Sequence, residues 1–164
     1  MDQLWAPWRL EYIQGPEEGA CIFCVNDESI TDSDRFILVR RKFCYVMMNR
    51  YPYSNGHLMV SPYRHLGDMA ALDEDEVLDI HELLIDSQAV LLAVCGAQGF
   101  NVGWNLGRTA GAGIADQLHF HLIPRWQGDH NFLTVCAEIR TIPEHIDRTI
   151  DRLLPDFQAL IPAP

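Results

Sequence analysis

Residues 117–125 of the chain, QLHFHLIPR, alternate polar and apolar side chains up to a proline. Successive side chains of a β-strand point to opposite faces, so Gln117, His119 and His121 are predicted to share one face. The apolar residues between them would face a core: Leu118, Phe120 and Leu122. We therefore predict a strand over residues 118–123, ended by the proline.

The two histidines of this strand would lie ~7 Å apart along it. At that distance one imidazole can act as a nucleophile and the other as its partner. The alternative is that both are half-exposed polar residues on a sheet face. The pairing of His119 and His121, flanked by Gln117 and followed by Pro-Arg, favours a chemical role.

A glycine-rich loop, NLGRTAGAG at residues 105–113, precedes the histidine strand. Such a loop can offer backbone N–H groups to phosphate oxygens, although many loops of this composition are plain turns. Arg108 within it either adds a charge-assisted contact to phosphate or is an ordinary surface charge. Next to two histidines, the loop indicates an anion-binding site.

Four further segments rich in β-branched and aromatic residues predict strands. They are Phe36–Arg40, Phe43–Met48, His57–Val60 and Phe100–Trp104. We expect a long helix over Asp73–Cys95, because its apolar residues recur at helical spacing and Gly96 can end it. A shorter C-terminal helix is predicted over Pro143–Leu154. The predicted fold class is α+β, with an antiparallel sheet of about five strands, one long helix and a C-terminal helix.

The composition narrows the classes of partner. The formal net charge of −11 argues against binding to nucleic acid, which needs clustered Lys and Arg. No apolar run reaches the ~18 residues needed to cross a bilayer, so no membrane partner is expected. Five cysteines and no secretory signal predict a reducing, cytoplasmic setting. Residues 1–20 are interpreted as an aromatic N-terminal extension, and residues 21–164 as a single domain.

Two stretches of the chain resemble the histidine-triad (HIT) family. QLHFHLIPRW is similar to its signature of alternating histidines, and NRYPYSNGHLMVSPYRH, residues 49–65, is similar to an upstream family segment. The N-terminal LWAPWRLEYI and the PRWQGD stretch also resemble a bacterial branch of dinucleoside tetraphosphate phosphorylases and hydrolases. The resemblance implies a HIT-like fold, a nucleotide as the small-molecule partner and a homodimer.

The resemblance also implies roles for individual residues. His119 matches the family's nucleophile, which attacks the α-phosphorus of a nucleoside phosphate and forms a nucleotidyl-histidine that water or phosphate then resolves. His121 and His57 match positions that support the phosphate and the nucleophile. Asn49 matches the position that contacts the ribose hydroxyls; alternatively, it caps the turn before Pro52. The remaining expected contacts are to the phosphates, from Asn105, Arg108 and the backbone from Gly111 through Gly113 to Ile114.

The chain departs from the family at position 117, where Gln replaces the first histidine of the triad. Relatives with a C-x-x-C pair can hold a structural zinc ion, and the matching positions here are Cys21, Cys24, His65 and Gln117. Two thiolates and an imidazole suit zinc, but an amide is a poor ligand, which leaves the fourth position undecided. No organic cofactor is expected.

Two other functions remain open from the sequence. One is a zinc hydrolase in which His119 and His121 bind a catalytic metal, although no Asp or Glu in the same strand offers a third ligand. The other is a nucleotide-binding protein that has lost catalysis, with Gln117 marking the loss.

Overall fold

The computed structural model of the protein describes residues 21–25, 29–129 and 142–161. Its strands are β1 (Ile37–Arg40), β2 (Cys44–Met48), β3 (Leu58–Pro62), β4 (Gly99–Gly103) and β5 (Phe120–Arg125). Its helices are α1 (Glu74–Cys95) and α2 (Ile146–Gln158). The strands form one antiparallel sheet in the order β1-β2-β3-β5-β4. The predicted α+β class is confirmed; the N-terminal extension of residues 1–20 lies outside the described residues.

The two faces of the sheet carry different side chains. One face packs against both helices and forms the larger core, whose members in β2, β3 and β5 are Cys44, Val46, Met48, Leu58, Val60, Phe120 and Leu122. The other face carries a smaller apolar cluster: Phe23, Val25, Ile37, Tyr45, Met47 and Met59. The register pairs Met59 with His121 on this second face. The alternation around β5 therefore buries Phe120 and Leu122 under the helices and leaves His121, and His119 just before the strand, on the opposite face, as predicted.

Helix α1 begins and ends as the sequence predicts. Asp73 is its N-cap, and the Glu76 carboxylate accepts a hydrogen bond of 2.9 Å from the Asp73 N–H. Gly96 ends the helix in the left-handed conformation at φ 60°. No helix in the described ranges is long and apolar enough to cross a bilayer.

The predicted ends of two strands are wrong. The strand expected to end at Val60 continues as β3 to Pro62, and β5 runs through Pro124 to Arg125. Arg125 O accepts the Gln98 N–H on the β4 side, so the nitrogen of Pro124 faces the β3 side. There the β3–β5 pairing has already ended at Leu122. A proline whose missing N–H faces an unpaired side does not break a ladder.

Helix α2 is displaced from its predicted range. It begins after His145, whose ring accepts the Asp147 N–H, and it continues through Pro155 to Gln158. The burial of Leu153 and Phe157 in the larger core holds this last turn against the sheet. The cost of one backbone hydrogen bond at the proline is thereby offset by buried apolar area.

Candidate active site

Three histidines come together on the sheet face that the helices leave free. His119 immediately precedes β5, His121 lies in it, and His57 immediately precedes β3, which pairs with β5. The ring centroids of His57 and His121 are 5.0 Å apart, and those of His119 and His121 are 5.1 Å apart. Gly56 makes the turn into His57 at φ 71°, a conformation that side chains disfavour. All three imidazoles are buried, so the structure assembles the predicted catalytic group from two chain segments.

The tautomer of His119 follows from its hydrogen bond. Its Nδ1 lies 2.8 Å from the backbone carbonyl oxygen of Gln117. A carbonyl oxygen can only accept, so Nδ1 carries the proton and donates it. The lone pair of the neutral ring is then on Nε2, which is what a nucleophilic imidazole requires.

The tautomers of the other two histidines follow in the same way. His57 Nδ1 accepts the backbone N–H of Tyr53 at 3.1 Å, so the proton of the neutral ring is on Nε2. His57 Nε2 lies 2.9 Å from His121 Nδ1 and donates to it. His121 therefore carries its own proton on Nε2. A backbone N–H thus fixes the protonation of two side chains in series.

Both supporting histidines are held neutral. Burial, together with the neighbouring His121 and His119, lowers the pKa of His57 to about 3. Burial, together with His119, lowers the pKa of His121 to about 4. Desolvation disfavours the imidazolium, and a second nearby positive charge would disfavour it further. At neutral pH His57 and His121 are therefore uncharged, in agreement with the hydrogen bond between them.

His121 Nε2 is buried and has no hydrogen-bond partner among the described residues. The tautomer derived above makes it a donor, and a buried donor without a partner is costly. It lies on the ring adjacent to His119. Its N–H could therefore donate to an oxygen of a molecule bound beside His119.

The structure gives Asn49 a structural role in the loop that ends at His57. Its Oδ1 accepts the Tyr51 N–H at 2.9 Å, and its Nδ2 lies 3.3 Å from His57 Nδ1. This is the turn-capping role that Asn commonly plays. Contact with a ribose stays a prediction.

The glycine-rich loop follows β4 and leads to the histidine strand. Asn105 is half-buried, and Arg108 is exposed in a short 3-10 turn over Arg108–Ala110. The N–H of Gly111 donates to Arg108 O at 3.0 Å, so this turn uses one of the predicted donors internally. Gly113 is exposed. Phosphate contacts by these residues stay predictions.

Cys21, Cys24 and His65 form a second cluster on the same side of the molecule. Their ligand atoms all lie within 4.8 Å of one another, and Cys24 Sγ is 3.3 Å from His65 Nδ1. The other ring nitrogen of His65, Nε2, is 3.4 Å from the Asp116 carboxylate. That partner places a proton on Nε2 and a lone pair on Nδ1, where a metal would bind. Burial, and to a lesser degree Cys24, raises the pKa of the Cys21 thiol to about 11.

This donor set fits a divalent zinc ion. Two thiols and one imidazole nitrogen converge, and a cation would remove the protons that neighbouring thiols otherwise retain. The three ligands come from a tight turn, closed by the Cys24 N–H and Cys21 O at 2.9 Å, and from the segment that follows β3. Gly67 brings this segment against the approach to β5, because a Cβ there would lie 2.7 Å from Ala115 O.

Gln117 is buried, with 2% of its surface exposed, and its amide is occupied by the protein. Its Oε1 accepts the Leu66 N–H at 3.2 Å. Its Nε2 donates to Ser61 Oγ and Pro62 O at 3.1 Å and to Arg64 O at 3.2 Å. Gln117 therefore contacts both sites: its side chain binds the segment that carries His65, and its backbone carbonyl binds His119.

Two residues of the site were missed from the sequence. Tyr53 packs its ring against His57, with centroids 4.8 Å and planes 39° apart, and its backbone N–H donates to His57 Nδ1. Phe23 stacks on His119, with centroids 4.6 Å apart and planes 20° apart. Nothing in the sequence distinguishes these two from ordinary aromatic residues, because both act through the folded arrangement.

Comparison with known proteins agrees with this geometry. A profile of the HIT domain matches residues 31–128. The AP-4-A phosphorylase of Mycobacterium tuberculosis is 35% identical over 162 residues, which cover 94% of this chain and 83% of that protein. The adenosine 5′-monophosphoramidase of Schizosaccharomyces pombe is 31% identical over 65% of this chain and 74% of that protein.

A solved structure has the same fold. A Zn-bound histidine triad family protein from Mycobacterium smegmatis superposes with a TM-score of 0.65 at 20% identity, over 86% of this chain and 95% of that one. The matched profile and the similarity along nearly the whole chain show that this protein belongs to the HIT family.

Proposed function

We propose that the protein cleaves a dinucleoside polyphosphate of the diadenosine tetraphosphate class at the α-phosphorus, through a nucleotidyl intermediate on His119. The observation that carries this proposal is the hydrogen bond from His119 Nδ1–H to Gln117 O. It leaves the Nε2 lone pair for attack and stabilises the proton on Nδ1 once the ring has become positively charged. The M. tuberculosis relative supports the substrate class.

The first step forms an N–P bond at His119 Nε2 while the bond from the α-phosphorus to the bridging oxygen breaks. The electron pair of that bond leaves with the nucleoside polyphosphate. His121 donates its Nε2–H to a phosphate oxygen, and His57 holds His121 in the donating tautomer. This donor is fixed before the substrate arrives, which is the preorganisation that stabilises developing charge.

In the second step an acceptor oxygen attacks the same phosphorus and the N–P bond breaks. The electron pair of that bond returns to Nε2, which restores neutral His119, and the proton of the acceptor passes to solvent. With diadenosine tetraphosphate as substrate, the first product is ATP. Phosphate as acceptor then gives ADP, and water gives AMP. We propose phosphate as the acceptor, as the name of the M. tuberculosis relative suggests.

The nucleotide is proposed to lie between the histidine trio and the glycine-rich loop. Asn49 would contact the ribose, and Asn105, Arg108, Gly111 and Gly113 the phosphates. Arg108 is exposed, so we assign its contact with phosphate a minor share of the binding energy.

The test is a product analysis with diadenosine tetraphosphate in the presence and absence of inorganic phosphate. The proposal predicts ADP and ATP in equal amounts when phosphate is present. AMP and ATP at a rate independent of phosphate would identify a hydrolase. Cleavage of adenosine 5′-monophosphoramidate faster than of diadenosine tetraphosphate would instead favour a second candidate function, that of a phosphoramidase like the S. pombe relative.

The zinc-hydrolase alternative has less support. Among the described residues, Cys21, Cys24 and His65 are the only group of three convergent metal ligands of these types. This group includes neither His119 nor His121. A chelator separates the two schemes, because it would abolish turnover by a catalytic metal and leave the nucleotidyl intermediate intact in ours. A protein that has lost catalysis would bind the nucleotide tightly without turnover.

We further propose a structural zinc ion on Cys21, Cys24 and His65. Gln117 is proposed not to be a ligand, because its amide is engaged elsewhere. The ion would cross-link the turn of Cys21–Cys24 to the segment after β3, and it would take no part in the chemical steps. Metal analysis of the purified protein, compared with a Cys24→Ser variant, tests this assignment.

We also propose a homodimer and a cytoplasmic location. β4 is an edge strand, and Val102, Trp104 and Leu106 on it and after it are exposed. Exposed apolar side chains on an unpaired edge favour pairing with another chain, here a second copy. Sedimentation at several concentrations tests this, with Val102→Asp expected to give the monomer.

A further inference from the structure

Phe23 lies flat against the ring of the nucleophile. Its ring centroid is 4.6 Å from that of His119, and only 2% of Phe23 is exposed. Phe23 stands between the two cysteines of the metal-ligand cluster, in the turn that the Cys24 N–H and Cys21 O close. Its carbonyl accepts the Tyr45 hydroxyl at 2.8 Å, so the residue is fixed at its backbone as well as at its ring.

His119 is held from a second direction by Gln117. The Gln117 carbonyl accepts the Nδ1–H of His119, and the Gln117 amide binds the segment that carries His65. In addition, Leu66 O accepts the Leu118 N–H at 2.7 Å. The two supports of the nucleophile therefore lead to the two arms of one cluster: the cysteine turn and the segment of His65.

The two supports constrain different movements of the imidazole. The χ2 torsion of histidine has a broad energy minimum, so a hydrogen bond at Nδ1 alone leaves the ring free to tilt. A flat aromatic neighbour fixes the plane of the ring, and the plane sets the direction of the Nε2 lone pair. Misplacement of a reacting atom by about 1 Å can cost about 100-fold in rate.

We propose that Phe23 is a positioning residue for His119, held in place by the Cys21–Cys24–His65 cluster when a divalent metal ion closes it. The inference rests on the proposed function, since it assigns His119 as the nucleophile. Without an ion, the cysteine turn and the segment of His65 are in contact through Cys24 and His65, and both of these residues are exposed. Closure of the cluster would join the arms and hold the Phe23 ring on His119.

The test combines nuclear magnetic resonance with kinetics on the full chain. The carbon-bound ring protons of His119 lie over the face of Phe23, so ring current displaces their resonances upfield. We expect this displacement to be lost in Phe23→Leu and reduced in the wild type when zinc is removed with a chelator. Ile22→Ala is the matched control, because Ile22 lies in the same turn and is 56% exposed.

The kinetic expectation is a fall in kcat of between about 10- and 100-fold in Phe23→Leu, with KM changed much less. Ile22→Ala should keep the wild-type kcat. A rise in KM at unchanged kcat would overturn the inference, because it would make Phe23 a substrate contact only. The inference would also be overturned if the His119 resonances changed neither in Phe23→Leu nor on zinc removal. The zinc experiment uses the wild type, so it does not depend on the folding of a variant.

Failure of the inference can be told apart from failure of the proposed function. A wild-type enzyme that forms the nucleotidyl adduct, together with a Phe23→Leu variant of equal kcat, contradicts only the inference. A wild-type enzyme that forms no adduct contradicts the proposed function, and the positioning role falls with it.

Discussion

The protein contains two clusters with histidine, and they are built in opposite ways. The trio of His57, His119 and His121 is buried, and each ring is oriented by a backbone group or by another ring that is so oriented. The cluster of Cys21, Cys24 and His65 is more exposed, and its donors face one another. Gln117 stands between them, with its carbonyl on the first and its amide on the segment of the second.

The difference separates a site arranged by the chain itself from one suited to an ion. In the trio, four ring nitrogens are hydrogen-bonded to one another or to the backbone, and the buried His121 Nε2–H has no partner among the described residues. In the cysteine cluster, neighbouring thiols and an imidazole lone pair converge, and a cation would stabilise them together. The first cluster is therefore expected to be sensitive to mutation and pH, and the second to chelation.

The largest effect is expected from loss of the nucleophile. His119→Ala should lower kcat/KM by at least about 10⁴-fold, since removal of a nucleophile leaves only binding and transition-state contacts. Steady-state assay with diadenosine tetraphosphate measures it. His81→Ala is the control, because His81 is exposed on α1. An His119→Ala enzyme of near wild-type rate would remove the trio from the chemistry.

The next effect tests the fixed tautomers. In His57→Leu, His121 Nδ1 loses its donor, so His121 can protonate Nδ1 and turn a lone pair towards the substrate. We expect kcat to fall by about 100-fold, the usual range for a lost proton donor. His57→Gln can still donate to His121 and should recover part of the rate. Equal rates for the Leu and Gln variants would show that the His57–His121 hydrogen bond is not needed.

The pH dependence of stability should report the burial of His57 and His121. The pKa values of His57 and His121 are lowered to about 3 and about 4, below the ordinary value near 6.5. Between these limits the unfolded chain binds protons that the folded protein does not, so the unfolding free energy falls as pH falls from 6.5 towards 4. Each histidine contributes up to about 1.4 kcal/mol per pH unit.

Urea titrations at several pH values measure this slope. The His57→Leu variant should show a slope smaller by one histidine than the wild type, whereas His81→Ala should match it. A slope in His57→Leu equal to that of the wild type would mean that His57 is not held neutral in the folded protein.

The smallest effect is expected from the glycine-rich loop. Arg108→Ala should raise KM by about three- to tenfold with little change in kcat, because one exposed charge-assisted contact to phosphate is worth little more than 1 kcal/mol. Assays at low and high salt measure it, and the difference should shrink as salt screens the charge. No change in KM at low salt would assign Arg108 to the surface.

The sequence predicted the parts of this structure that depend on periodicity. The alternation around His119 placed the histidines on one face, and the helical spacing of apolar residues, with Gly96 as the end signal, gave the range of α1. The end of β5 was predicted wrongly, because whether Pro124 breaks a strand depends on which neighbouring strand its missing N–H faces. That information lies in the sheet order and not in the local sequence.

The supports of the site were also beyond reach of the sequence. Phe23 stacks on His119, a residue far from it in the chain, and Tyr53 reaches the ring of His121 only because β3 and β5 pair. The departure at position 117 was visible, but the direction of its side chain was not. Only the fold shows that the Gln117 amide forms hydrogen bonds within the segment 61–66, while its backbone carbonyl accepts the Nδ1–H of His119.

The central claim is that His119 becomes covalently nucleotidylated. Its most direct test is rapid-quench mass spectrometry of the intact protein mixed with diadenosine tetraphosphate, for the wild type and His119→Ala. Our account predicts a mass increase of one AMP on the wild type, located at His119 by fragmentation, and none on the variant. Turnover in His119→Ala, or turnover by the wild type with no adduct at the shortest quench times, would contradict it.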